Sequence, residues 1–424
     1  YLGVSLYTWT SVIGVILAGI SLGNYLGGAI ADRYAAQRTL GIILLVAGLA
    51  SLSILATNEL VGELTDTRSF SLPLRILAFA ALVFFVPSCV LGTVSPLVVK
   101  LSLKDLEHTG NVVGKIYAYS ALGSILGTFA TGFFLISWFG TRTIVWVVAC
   151  ILMFMGVLFG DLWRWRGRAI TIFTLMVFFA GLVALARKGL LTSPCTRETN
   201  YYCIKVSEAT LKDSSVVYAL TLDRMVHSYT SLGDPKKLVY DYEKVYAKLT
   251  DQIARDRPFL RTLFIGGGGY TFPKYIEALY PQSSIEVVEI DPGVTQVAQD
   301  MLGLAPETRI VTYNKDARIF FSEIEGVPQY DLIIGDAFND FSVPYHLTTR
   351  EFNEKVRSYL KDDGFYMVNI LDGHRALFLR AYVNTLKLTF PYVYLIPTIE
   401  AWREVVRTSF VIVASSGRLD LDDM

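Results

Sequence analysis

The pattern of apolar and polar positions changes character once along the chain. Up to about residue 186, apolar residues run in long blocks separated by short polar connectors. A bilayer core needs about 20 predominantly apolar residues per helix. Six stretches satisfy this: Val4–Ile30, Thr39–Thr57, Leu74–Val99, Val113–Trp138, Thr143–Gly160 and Ala169–Ala186. The blocks repeat instead of ending after one, which excludes a secretory signal peptide. They predict an α-helical transmembrane bundle of six visible spans over residues 1–190. The first block follows Tyr1 almost directly, so the sequence is expected to begin inside a longer one, with an earlier helix missing.

From Ser193 the blocks give way to strands and turns. Tyr201–Val206 and Val216–Leu222 are rich in β-branched and aromatic residues and flank a polar turn. A helical stretch follows at Leu238–Ile253. Strands are then expected at Thr262–Gly266, Ser284–Ile290, Arg309–Tyr313, Asp331–Gly335, Phe365–Ile370 and Phe410–Ala414, with helices at Phe272–Leu279 and Gly293–Met301. Strands alternating with helices imply a mostly parallel sheet covered on both faces. The fold expected for the second half is an α/β Rossmann-like, methyltransferase-type domain (residues 258–424) with a small N-terminal β-subdomain and gate region (residues 191–257).

Charge sharpens this division. The chain has 38 basic and 38 acidic residues, and that balance gives no global case for a nucleic-acid binder. The zero is a sum of unlike halves: residues 1–190 hold 13 Lys and Arg against 7 Asp and Glu, and the remainder holds 25 against 31. The loops after the first, third and fifth spans carry eight Lys and Arg, and those after the second and fourth carry three. The positive-inside rule places the richer set in the cytoplasm and the second half on the extracytoplasmic side, anchored in the inner membrane. Arg187 and Lys188, just after the sixth span, weigh the other way.

Two stripes of small residues, Gly19/Gly23/Gly27 and Gly123/Gly127, read as sites of close helix packing before they read as a substrate path. Pro87 and Pro96 interrupt the third span, as a kink or a functional break. Few ionisable residues lie mid-span, so nothing resembles a proton relay. The segment Gly23 to Arg38 resembles the cytoplasmic loop motif of major facilitator transporters over this one loop.

The candidate chemistry clusters in the second half, where ligands of such sheets sit at the carboxyl ends of strands. The first of these strands runs into Gly266, Gly267, Gly268 and Gly269, which permit positive φ and close backbone approach. Glu289, 23 positions after Gly266, ends the next strand, where an acidic residue accepts hydrogen bonds from ribose hydroxyls. Asp316 and Ala317 follow the third strand, where such folds hold an adenine edge; a solvated loop carboxylate is the plainer reading. Asp336 ends the fourth, delivered into the crevice or simply capping a turn. His346, ten residues on, is a site residue or a capping one. The four histidines lack ligand-spaced partners, so no metal is expected. No serine nucleophile elbow is present. Cys89 and Cys150 lie in spans as apolar fillers; Cys195 and Cys203 are either buried thiols or a disulfide, which requires an oxidising compartment.

These residues carry a resemblance. The glycine loop, VEID at Val288–Asp291, the Asp316 loop and YDLIIGD at Tyr330–Asp336 resemble, in order, the spermidine synthase (polyamine aminopropyltransferase) family. LTLDR at Leu220–Arg224 and LVYDYE at Leu238–Glu243 resemble its β-domain and gate. With the helices added, the whole is similar to membrane-fused spermidine synthase-like proteins. The resemblance implies a transferase acting at the sulfonium of decarboxylated or intact S-adenosylmethionine as co-substrate, releasing methylthioadenosine. It implies Asp336 as the catalytic base, Tyr240 as its gate-side hydroxyl, and Gly266, Gly267, Gly268, Gly269, Glu289, Asp291, Asp316, Ala317 and Tyr202 around the nucleoside. His227, His346 and Asp340 are implied around the acceptor. That acceptor is a small amine or another molecule, or is absent, and a homodimer is the implied assembly.

The departures matter too. Where the family reads GGGDGG this chain reads GGGGYT, so Gly269 replaces the Asp that holds the aminopropyl ammonium. Tyr202 and His227 stand where the family tends to place glutamines, and Asn339 stands at its second acidic position, with Asp340 next to it. Losing the Asp removes a charge that would repel the carboxylate of intact S-adenosylmethionine. A lyase or cyclase, a methyltransferase, and a transporter or sensor with a nucleoside-binding domain are the alternatives. Sulfonium nucleosides are made in the cytosol, which opposes an outward-facing catalytic domain.

Overall fold

The computed structural model describes residues 6–64, 72–103, 109–160, 172, 176, 179–181, 193–255, 257, 259–324, 329–337, 343–373 and 375–419. The chain divides into two compact units, Tyr1–Pro194 and Cys195–Met424.

In the first unit, five helices are long and apolar enough to cross a membrane: Tyr7–Tyr34, Gln37–Thr57, Pro73–Ser102, Thr109–Leu135 and Trp138–Phe159. The expected sixth span, 169–186, lies almost wholly outside the described residues. The third span is two helices, Leu72–Gly92 and Val94–Ser102. Pro87 sits inside the first, and Pro96 falls in the first turn of the second, where a missing N–H costs little. The two glycine stripes differ. A Cβ on Gly19, Gly23 or Gly27 would lie 2.1–2.9 Å from atoms of residues 85–93, so these glycines permit backbone-to-backbone approach. Gly123 and Gly127 face open space. Lys100 lies 3.1 Å from Asp32, bringing the C-terminal ends of the helices Leu6–Tyr34 and Val94–Ser102 together.

The second unit opens with an antiparallel four-stranded sheet in the order β1 (Arg197–Glu198), β2 (Cys203–Thr210), β3 (Val216–Leu222), β4 (Met225–Thr230). Asp223, at φ +53°, turns β3 into β4, and its carboxylate accepts the Cys203 N–H at 2.9 Å. A disulfide joins Cys195, just before β1, to Cys203 at the start of β2, closing a loop that contains β1 and the turn after it.

The larger sheet has seven strands: β5 (Arg261–Ile265), β6 (Ser284–Val288), β7 (Val311–Tyr313), β8 (Tyr330–Gly335), β9 (Leu360–Gly373), β10 (Tyr392–Pro397) and β11 (Arg407–Ser415). Their spatial order is β10-β11-β9-β8-β5-β6-β7; β11 is antiparallel to both neighbours and the other pairs are parallel. This is the methyltransferase-type mixed sheet. Successive strand residues point to opposite faces. Accordingly Phe264, Leu332 and Ile334 pack into one core, and Leu263, Ile265 and Ile333 into the other. Fully burying each such side chain contributes about 1.5–3 kcal/mol, so the strands hold their register by a two-sided core.

Candidate active site

The chain runs from β5 outward to β6 and β7, then returns to place β8 on the other side of β5. Ligands bind at such a switch point, outside the carboxyl ends of the strands. The glycine loop leaves β5 there and Asp336 leaves β8 beside it; the Asp336 N–H donates to Ile265 O at 2.9 Å. Gly266 is at φ +98°, and a Cβ on it would lie 2.5 Å from the Asp336 carbonyl oxygen, so no side chain fits between the two strand ends. Tyr270, fully buried at φ +55°, ends the loop, with its hydroxyl 3.0 Å from Thr295 Oγ1 and 3.2 Å from Thr312 Oγ1. The loop is therefore fixed from both ends.

Two cavities meet at this point. The first, about 230 Å³, is lined by Tyr201, Tyr202, Glu289, Asp316, Ala317 and His346 among others. The second, about 130 Å³, is lined by Ser228, Tyr240, Tyr242, Glu243, Tyr246 and Asn369 among others. His227, Gly266, Gly268 and Asp336 line both.

In the first cavity the carboxylates are held in place by the protein. Glu289 is buried and accepts the Gly267 N–H at 2.7 Å and the Asp291 N–H at 3.0 Å. Burial pushes its pKa up, and these amides oppose the shift. A carboxylate has about four acceptor sites, so capacity remains for hydroxyl donors. Asp316 caps the helix Ala317–Glu323 with one oxygen, and its other oxygen lies 2.8 Å from His346 Nε2. His346, expected around the acceptor, thus lines the first cavity and not the second. Asp291 lines neither cavity: it is 1% exposed, caps the helix Pro292–Met301, and accepts from the Thr199 hydroxyl at 2.6 Å. Its work is positional. Thr199 also accepts the N–H groups of Tyr201 and Tyr202, so Asp291 and the disulfide together set the loop bearing those two rings.

The second cavity is built differently. Asp336 accepts the Asn369 amide at 3.0 Å and the Tyr242 hydroxyl; burial outweighs these bonds and lifts its pKa to about 6. It remains mostly ionised at neutral pH and is a competent proton acceptor. Tyr240, expected to serve Asp336, instead donates its hydroxyl to Val226 O at 2.8 Å. Tyr242 takes that place; two residues on, in the first turn of helix Asp241–Ala254, it is separated from Tyr240 by a ring contact of 5.5 Å. Burial lowers the His227 pKa to about 4, so its imidazole is neutral. Burial and the nearby Asp336 charge raise that of Glu243 to about 8. A Cβ on Gly269 would lie 2.2 Å from Ser228 Oγ and 3.0 Å from Thr230 Oγ1, so β4 fills the space a side chain would need.

Asn369, Tyr242 and Ser228 escaped sequence reading. Asn369 had a signal, a lone amide inside the apolar run Tyr366–Leu371. Ser228 had none, because β4 was not recognised as a strand. Asp340 lies outside the described residues. Among the described residues, no group of three or more His, Cys, Asp or Glu side chains is arranged to hold a metal ion.

Comparison with known proteins bears on this geometry. Residues 260–406 match the spermine/spermidine synthase domain. A polyamine aminopropyltransferase of Vibrio vulnificus is 37% identical over 111 residues, covering 26% of this chain and 37% of the relative. A probable polyamine aminopropyl transferase of Bifidobacterium longum is 30% identical over 118 residues, covering 27% of this chain and 26% of the relative. The human eEF1A lysine and N-terminal methyltransferase is 29% identical over 146 residues, covering 32% and 21%. The chain thus spans well under half the length of these curated relatives. A probable spermidine synthase from Corynebacterium glutamicum superposes with a TM-score of 0.49 at 22% identity, covering 55% of this chain and 84% of that one. Over residues 260–406 the α/β unit of this chain is thus similar to spermine/spermidine synthase domains.

Proposed function

We propose that this chain is a membrane-anchored transferase acting at the sulfonium of S-adenosylmethionine or its decarboxylated form. The acceptor nitrogen attacks the carbon beside sulfur; a C–N bond forms, the C–S bond breaks, and the electron pair leaves with sulfur in neutral methylthioadenosine. Asp336 takes the proton from nitrogen. The observation that carries this reading is the position of Asp336 on the wall common to both cavities. A base at that junction contributes about 10²–10⁴-fold, and alignment of nitrogen with the sulfonium carbon contributes more.

Intact S-adenosylmethionine is favoured by Gly269, which brings no carboxylate to this position and has the neutral Ser228 hydroxyl where a side chain would begin. Membrane anchoring is supported by the five long apolar helices, and an outward-facing catalytic unit by the Cys195–Cys203 disulfide. Methyl transfer is the second reading, favoured by the methyltransferase relatives. Incubating the purified full chain with each nucleoside and a short amine and weighing the products separates them: methylthioadenosine together with an amine enlarged by the transferred chain supports the proposal, and S-adenosylhomocysteine supports the second reading.

A further inference from the structure

We propose that the acceptor is a short amine with one cationic nitrogen and a neutral hydroxyl or amide a few bonds away, and not a polyamine. This rests on the transfer reading above. Among its described lining residues, the second cavity holds two carboxylates, Asp336 and Glu243, and no Lys or Arg. Asp336 is committed to the attacking nitrogen. Glu243 is 2% exposed and its carboxylate accepts the backbone N–H groups of Tyr240 and Val239. Glu243 is thus turned to the start of its own helix, buried beneath two backbone donors, and burial together with the Asp336 charge disfavours its ionised form, so it is poorly placed to hold a second ammonium.

The neutral capacity of the cavity is larger. Ser228 Oγ and Asn369 Oδ1, on residues 4% and 5% exposed, are buried without a hydrogen-bond partner, as is His227 Nε2. All three residues line the cavity. An unpaired buried polar atom is costly, so a ligand group that completes it binds preferentially. A hydroxyl or an amide can both donate to Asn369 Oδ1 and accept from the Ser228 hydroxyl, which an ammonium, a donor only, cannot do, and the aromatic rings of Tyr240, Tyr242 and Tyr246 supply an apolar wall for the linking carbons. A volume of about 130 Å³ limits the chain to a few carbons.

The test measures methylthioadenosine release by the full chain in detergent with 3-aminopropan-1-ol, propylamine or putrescine, each with both nucleosides. The amino alcohol is expected to exceed both others in kcat/KM by about tenfold, the worth of one well-placed hydrogen bond. Ser228→Ala should bring the ratio of amino alcohol to propylamine close to one, with nucleoside affinity by calorimetry confirming that the variant is folded. Release that is fastest with putrescine overturns this proposal and leaves the transfer reading standing. Release at one rate with or without any amine identifies a lyase and overturns the proposal. No release under any condition overturns the transfer reading and this inference with it.

Discussion

The two halves of the cleft solve opposite problems. In the first cavity, the proposed nucleoside side, the carboxylates are engaged before any ligand arrives: Glu289 by backbone amides of Gly267 and Asp291, and Asp316 by a helix end and His346. In the second cavity, the proposed acceptor side, several polar atoms are left open, and Asp336 is tuned by burial, an amide and a phenol. A preorganised half holds an invariant part of the substrate at little reorganisation cost. An incompletely paired half discriminates, because only the right acceptor completes it. Under the proposed function, the difference assigns affinity to one side of Asp336 and selectivity to the other.

That division can be broken in four ways. The largest effect belongs to the junction: Asp336→Asn should slow methylthioadenosine release by about 10²–10⁴-fold, far beyond any change in nucleoside Kd. A comparable loss of affinity would place Asp336 wholly in the nucleoside half. Next is the disulfide. Reduction, or Cys195→Ser with Cys203→Ser, should cost the α/β unit about 2–4 kcal/mol of stability and weaken nucleoside binding through the Tyr201–Tyr202 loop. Thermal melting with and without reductant reads the first effect and calorimetry the second. An unchanged melting curve would remove the bridge from the account.

Glu289→Gln should weaken nucleoside binding by about 1.5–3 kcal/mol while leaving the acceptor KM within a factor of about two. Equal movement of both constants would merge the halves. The smallest effect is a shift in pH dependence. Release needs ionised Asp336, so kcat/KM should rise with pH through about 6. The Tyr242 hydroxyl stabilises the carboxylate, so Tyr242→Phe should move that limb upward, by about 0.7 pH units for a bond worth about 1 kcal/mol. A downward shift would contradict the assigned bond.

The nucleoside half was legible in the sequence for a physical reason. Parallel strands are buried apolar runs, so a glycine cluster or a carboxylate where a run stops stands out, as Gly266, Glu289, Asp316 and Asp336 do. The register confirms each strand end within two residues. The acceptor half was mostly illegible, because Ser228, Tyr242, Asn369 and Ser409 come from four elements that meet only in the folded unit. Tyr240 and Tyr242 illustrate the limit: both are aromatic, two positions apart, and only the helix start at Asp241 decides which hydroxyl reaches Asp336. Strands β4 and β10 and the helices Arg350–Tyr359 and Leu377–Lys387 were missed as well, their mixed polarity hiding the period. Thr349, which caps the first of those helices by accepting the Phe352 N–H, was a start signal in plain view.

The central claim is that Asp336 drives transfer at the sulfonium centre from the junction of the two cavities. Its most direct test is the identity and rate of the nucleoside product formed by wild type and Asp336→Asn, followed by mass with each sulfonium nucleoside and a short amine. The account predicts methylthioadenosine together with an amine enlarged by the transferred chain, both lost in the variant. S-adenosylhomocysteine as the product, or methylthioadenosine released equally by the variant, would contradict it.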